Sequence, residues 1–165
     1  MLAALRDRFP EEKASLEQSM REQDPTYLLD NYEQVLLPPV PVTDLPTFDP
    51  QVRRPLSPQL RERFAFGSTW VRGGETWFDP AEMAARMGDP EVRSSHESLR
   101  EHFEGSPPNL LRDDQLTLFG MLNRGGGSND GVIYLSWKDG AEEPEVFWMS
   151  GMNSDFYDDL RGYLE

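Results

Sequence analysis

The run from Leu116 to Trp137, LTLFGMLNRGGGSNDGVIYLSW, restricts the fold more than any other stretch of this chain. Leu116 to Leu122 and Val132 to Trp137 are rich in apolar, β-branched and aromatic residues that suit a pleated, half-buried surface. Between them stands Gly125-Gly126-Gly127-Ser128-Asn129-Asp130-Gly131. Glycine takes up positive φ without steric penalty and Asn and Asp tolerate it, so the pattern predicts a hairpin with a glycine-rich loop. Val132, Tyr134 and Ser136 alternate with Ile133, Leu135 and Trp137, so both faces carry bulk and the strand is expected to be central. Lys138-Asp139-Gly140 predicts the next turn, and Pro144 to Met149 the return strand. Ser154 is expected to cap a closing helix with Phe156, Leu160, Tyr163 and Leu164 along one side and Asp155 and Asp158 in its first turn. The expected class is α+β: an antiparallel meander of about five to six strands, helices packed at the N-terminal part, and a closing C-terminal helix.

Upstream, residues 1–36 predict two or three helices. Leu2, Leu5 and Phe9 share a helical face, Pro10 can open the next turn, and Leu16 and Met20 continue a sparse stripe. Asp24-Pro25 reads as a second start, followed by Leu28, Leu29, Tyr32, Val35 and Leu36 at helical spacing. Six prolines between residues 37 and 57 argue against regular structure there. The interleaved Val40, Val42, Leu45 and Phe48 point to an extended strap lying on the body, with a Pro-rich recognition segment for an adaptor as the alternative. The main body is assigned to residues 58–165, within a single domain of 1–165. Ser57-Pro58 predicts a helix start carrying Leu60 and Phe64, and Phe66 to Val71 with Thr76 to Phe78 a hairpin closed by Gly73-Gly74. Asp79-Pro80-Ala81-Glu82 has the form of a capping box, Gly88 a stop, and Ser94 with Glu97 a second box opening a helix with Leu99 and Phe103.

A formal charge of −14 is the bulk property that bears most on function. Binding a phosphate backbone requires clustered Lys and Arg, so direct nucleic-acid binding is not expected. An acidic exterior instead suits solubility, or the steering of a basic protein partner. The absence of cysteine rules out disulfides and thiolate metal sites and permits a reducing compartment. The start MLAALRDRFPEEKASLEQ has no basic leader and apolar core, and no stretch approaches the ~18 apolar residues of a membrane span. The expected location is the cytoplasm, with no membrane partner.

Chemistry finds little support. The glycine loop leads into a strand and lacks the Lys and hydroxyl of a phosphate cradle, so no nucleotide cofactor is expected. His96 and His102, six apart on a predicted helix that looks solvated, point to different sides and cannot chelate one ion. Asp130 and Asp139 do not fit a calcium loop. There is no GxSxG. A pair of carboxylates for glycoside hydrolysis stays open among 30 acidic residues, which leaves any chosen pair uninformative. No catalytic, cofactor or metal residues are therefore assigned. The acidic groups thicken toward the C-terminus at Asp139, Glu142, Glu143 and Glu145, then Asp155, Asp158 and Asp159. These acids read either as a solvated face or as a negative patch rimmed by Trp137, Phe147 and Trp148. On the second reading the candidate partner-binding residues are Asp139, Glu142, Glu143, Glu145, Trp137 and Trp148.

The order LFGMLNRGGGSNDGVIYLSW, KDGAEEPEVFWM and SDFYDDLRGYL resembles the C-terminal half of the SUKH superfamily, the Smi/Knr-type domains. In that family a glycine-rich turn, a strand ending in a Tyr-Leu-Trp-like run, a Pro-x-Val strand and a closing helix follow one another. Here the matching stretches are Gly125 to Asp130, Tyr134 to Trp137, Pro144 to Val146 and Phe156 to Leu164. Leu56 to Gly67 looks like a worn version of the family's helix motif, with Gly67-Ser68 where Asn-Gly usually stands, and residues 1–50 carry no family motif. The resemblance implies an α+β fold without catalytic residues. For bacterial members it implies an immunity protein that binds and neutralises a cognate toxin, often a nuclease of interbacterial competition. A regulatory or scaffolding domain of the same fold is the alternative, and a carboxylate-based hydrolase the third reading.

Overall fold

The strands are short and antiparallel, and their order in the main sheet follows the chain with one exception, set by where unpaired backbone edges find partners. The structure is a computed structural model that describes residues 1–25, 32–102, 112–122, 131–150 and 153–165. The expected glycine loop at 125–130, Leu28, Leu29, Phe103, Gly105, Pro107, Pro108 and the side chain of His102 lie outside the described residues. Helix α1 spans Leu2–Gln23, β1 Gln34–Leu36, β2 Asp44–Pro46, β3 Arg53–Pro55 and α2 Pro58–Phe66. Then come β4 Trp70–Arg72, β5 Glu75–Trp77, α3 Pro80–Gly88, α4 Pro90–His102 and a 3-10 turn at Asp113–Gln115. Strands β6 Leu116–Leu122, β7 Gly131–Ser136, β8 Glu145–Ser150 and β9 Asn153–Tyr157 lead to α5 Leu160–Leu164. The class is α+β: a seven-stranded antiparallel sheet ordered β1-β4-β5-β6-β7-β8-β9, with β2 and β3 as a separate two-stranded sheet.

Helices cover both faces. Because neighbouring residues of a strand point to opposite sides, the row Trp77, Gly120, Ile133, Trp148 lies on one face and the row Leu118, Tyr134, Phe147, Phe156 on the other. Trp77 meets Arg63 of α2 and Tyr163 of α5, which places those helices on its side. Met87 of α3 and His96 of α4 approach Leu118 and Tyr134 on the other. Leu60, Phe64, Met83, Met87, Leu118, Phe119, Ile133, Leu135 and Val146 are all buried in the resulting core.

Local signals explain most helix starts. Ser57 caps α2 by accepting from the Leu60 N–H at 3.3 Å, with Pro58 in the first position. Asp79 accepts from the N–H groups of Ala81 and Glu82 at 2.8 and 2.9 Å, while the Glu82 side chain turns to Arg86 and does not complete the box. Helix α4 begins at Pro90 under Asp89, which accepts from Glu91 N–H at 2.8 Å, so Ser94 lies inside the helix and is not its cap. The Asp-Pro signal repeats one helix later. At the β4–β5 reversal Gly73 has φ of 60°, a region costly for any side chain with a Cβ.

Four expectations about the backbone are corrected. Pro10 does not restart the N-terminal helix, because α1 runs through it as one helix of 22 residues. Proline removes the donor that the carbonyl four residues earlier requires, and Gln34 Nε2 donates to that Arg6 oxygen at 3.2 Å. Residues 34–36 were expected to be helical and are instead strand β1, pairing Gln34, Val35 and Leu36 with Arg72, Val71 and Trp70. An open β4 edge offers ladder bonds that outweigh a weak helical preference just before Pro38-Pro39. Likewise Asn153–Tyr157 is not helical but completes the edge beside β8, so Phe156 lies on a strand, and the cap of α5 is Asp159, not Ser154. These two strands account for a sheet wider than the expected five to six strands. The strap also carries the β2–β3 pair where no regular structure was expected, while Leu45 and Phe48 are buried and Phe48 N–H reaches Leu116 O at 3.0 Å.

Candidate protein-binding surface

The β7–β8 turn and the chain leaving β9 meet at one end of the sheet. The register Val146 to Tyr157 carries Asp158 to the level of Glu145, so Asp139, Glu142, Glu143, Glu145, Asp158 and Asp159 share that end. Leu116 pairs with Ser136, which brings Asp113 and Asp114 of the 3-10 turn to the same end. Local geometry then sorts these carboxylates by what they do.

Some are turned inward. Glu143 Oε1 accepts from the Gln59 N–H at 2.9 Å, satisfying a donor at the start of α2 that no helical carbonyl can reach, and its Oε2 is buried. Asp159 accepts from Gly162 N–H and Gln59 Nε2, both at 2.8 Å, and those bonds hold its carboxyl below the usual range. Gln59 Oε1 in turn accepts from the Arg161 N–H at 2.8 Å, so one glutamine ties α2 to α5. Others are neutralised: Glu145 by Lys138, Asp114 by Arg112 and Arg54, Asp113 by Arg100 at 3.0 Å. Asp139 accepts from Gln115 Nε2 at 3.1 Å and remains exposed. Glu142 and Asp158 at the same end are exposed, and Asp155 is exposed on β9.

The aromatic residues expected to rim this patch do not form one rim. Trp137 is buried, its ring N–H donating to Thr117 Oγ1 at 3.0 Å, and that hydroxyl donates to Pro46 O at 2.7 Å. Trp137 thereby ties the β7 end to the strap. Trp148 is half-buried on β8, opposite Ile133 and Asp155, whereas Phe147 faces the other way and stacks between Tyr134 and Phe156. The structure thus gathers Asp139, Glu142, Glu143 and Glu145, and separates Trp137 and Trp148 from them by burial and by strand parity.

Sequence patterning missed two buried ionisable side chains. His96 stands on a helix expected to be solvated, yet its ring is buried, stacks on Phe48 at 4.0 Å and puts Nε2 3.2 Å from Asp113 Oδ1. Burial lowers its pKa below 6.5, with the Asp113 contact opposing. The signal was its position between Val92 and Leu99 on the apolar edge of α4. Arg63 is fully buried with no carboxylate partner among the described residues; its guanidinium donates to the carbonyls of Gly67 and Ser68 and lies 5.3 Å from the Trp77 ring centre. Burial pulls its pKa down to about 10. Its place between Leu60 and Phe64 on one helical face was the available clue.

Among the described residues no three His, Asp or Glu side chains are arranged to hold a metal ion, and no helix is long and apolar enough to cross a membrane. Comparisons of the chain with protein-family models, with curated proteins and with solved structures give no match.

Proposed function

We propose that this chain is a non-enzymatic protein-binding domain: an immunity protein that neutralises a cognate basic bacterial toxin, a nuclease being the class whose charge it suits. The reading rests on the carboxylates assembled at one end of the sheet, of which Asp139, Glu142 and Asp158 face solvent. It draws further support from the net charge of −14 and from the SUKH resemblance of the segments that build that end. Carboxylates held in a fixed array attract a basic partner over a distance and occupy the places that phosphates would take on it. Binding of this kind would take place in the cytoplasm and require no cofactor and no contact with nucleic acid.

Co-expression with the product of the adjacent gene tests the function directly, with rescue from toxicity as the expected result. The surface is tested by Asp139→Lys, Glu142→Lys and Asp158→Lys combined. These side chains make no bond within a helix cap, so folding is kept while association slows and loses much of its salt dependence. An unchanged association rate at low salt would place the interface elsewhere. The scaffolding alternative is favoured by a different observation, the exposed apolar residues of the strap.

A further inference from the structure

Six large apolar side chains are exposed among the described residues, and three of them, Val35, Leu37 and Val40, fall within six consecutive positions. The segment from Leu37 to Pro41, LPPVP, is exposed at every residue. Its conformation is restricted by its own covalent structure. Pro38, Pro39 and Pro41 fix φ near −65°, and Leu37, Pro38 and Val40 each precede a proline, which drives their ψ out of the helical region. Every residue in the segment meets at least one of these restrictions. Together these restrictions favour the polyproline II conformation, which has three residues per turn.

That period decides which side chains act together. Leu37-Pro38 and Val40-Pro41 repeat after one turn, so two apolar-proline pairs project on the same side, one above the other. The body holds both ends. Leu37 N–H donates to Thr69 O at 3.0 Å and Ser68 N–H donates to Leu37 O at 3.1 Å, while Val42 packs on the core and Leu45 is fully buried. Between these anchors no backbone hydrogen bond joins residues 38–41 to the body among the described residues. A plain connector would bury its apolar side chains as Leu45 and Phe48 do, yet Leu37 and Val40 stay 46% and 45% exposed.

We propose that Leu37 to Pro41 is a recognition segment for a protein module whose groove is lined by parallel aromatic side chains. Each apolar-proline pair fills one slot between two rings, and the carbonyls left without partners accept from Trp or Tyr donors on the groove. Anchoring at both ends lowers the ordering cost that a free proline-rich peptide would meet on binding. Glu33 is the exposed charge preceding the segment, so the fitting groove carries no acidic flank on that side. This surface is distinct from the acidic end, and its occupancy does not depend on a toxin partner.

The test uses the isotope-labelled full chain titrated with a panel of isolated Src-homology-3 and WW domains, with amide signals followed by NMR. At least one domain is expected to move the signals of Leu37, Val40 and Val42 while leaving those of Asp139 and Glu142 in place. Pro38→Ala with Pro41→Ala, and separately Val40→Glu, are expected to weaken that binding by about tenfold or more. Val40→Glu keeps all three prolines and adds a charge at an exposed position, so it stays informative if the double variant folds poorly. The proposal is overturned if no domain of the panel moves the strap signals, if the shifts map elsewhere, or if Val40→Glu binds as the native chain does.

Discussion

Replacing Arg63 by Met tests how the strap and the sheet are held in register. The substitution keeps an apolar stem and removes the guanidinium that donates to the carbonyls of Gly67 and Ser68. Each buried carbonyl left without a donor costs about 1–3 kcal/mol, so the pair costs about 2–6. Loss of the cation over Trp77 and Phe64 adds about 1 kcal/mol. Against this stands relief from burying a charge. A guanidinium pKa pulled down from its ordinary value to about 10 by burial corresponds to about 3 kcal/mol. The balance is a destabilisation of about 2 kcal/mol, read as a lower urea midpoint at unchanged slope. Arg63→Lys should be at least as damaging, because it retains a buried charge and a point-like ammonium cannot fork to two carbonyls. Gly67 and Ser68 lead into the Leu37 contacts, so amide exchange at Leu37 should quicken in both variants. A Met variant as stable as the native chain, or a Lys variant better than Met, would refute this reasoning.

Other expectations follow from single contacts. Asp79→Ala removes a cap that serves two N–H groups and should cost about 0.5–2 kcal/mol by denaturant unfolding, while Glu82→Ala, which leaves the cap intact, should cost less. Gln34→Ala strips the donor from the carbonyl that Pro10 leaves open and should cost about 1 kcal/mol, with faster amide exchange in the first half of α1. His96 is held below its ordinary pKa by burial, so the unfolded chain binds its proton more readily than the native one. Its contribution is therefore complete above the unfolded pKa of about 6.5 and lost as pH falls from there toward the native value. Denaturant midpoints should show this slope, and His96→Phe should flatten it. Glu143→Lys, unlike Asp139→Lys, should lower stability by about 1–3 kcal/mol, because it strips the acceptor from the Gln59 N–H and buries a charge.

What the sequence determined by itself were the features with short-range causes. The Ser57-Pro58 and Asp79-Pro80 helix starts, the Gly73-Gly74 reversal and the two-faced β7 strand follow from which dihedrals and which backbone donors neighbouring residues can satisfy. The α+β class followed from the same signals. Tertiary structure decided what depended on distant partners. Gln34 to Leu36 and Asn153 to Tyr157 are strands because β4 and β8 present open edges, and α1 crosses Pro10 with its Leu2, Leu5 and Phe9 face buried and Gln34 donating to the freed Arg6 oxygen. The candidate surface divides the same way. The richness in carboxylates was legible along the chain, but which of them turn inward was fixed by Gln59, whose approach to Glu143 and Asp159 across the fold no local pattern encodes.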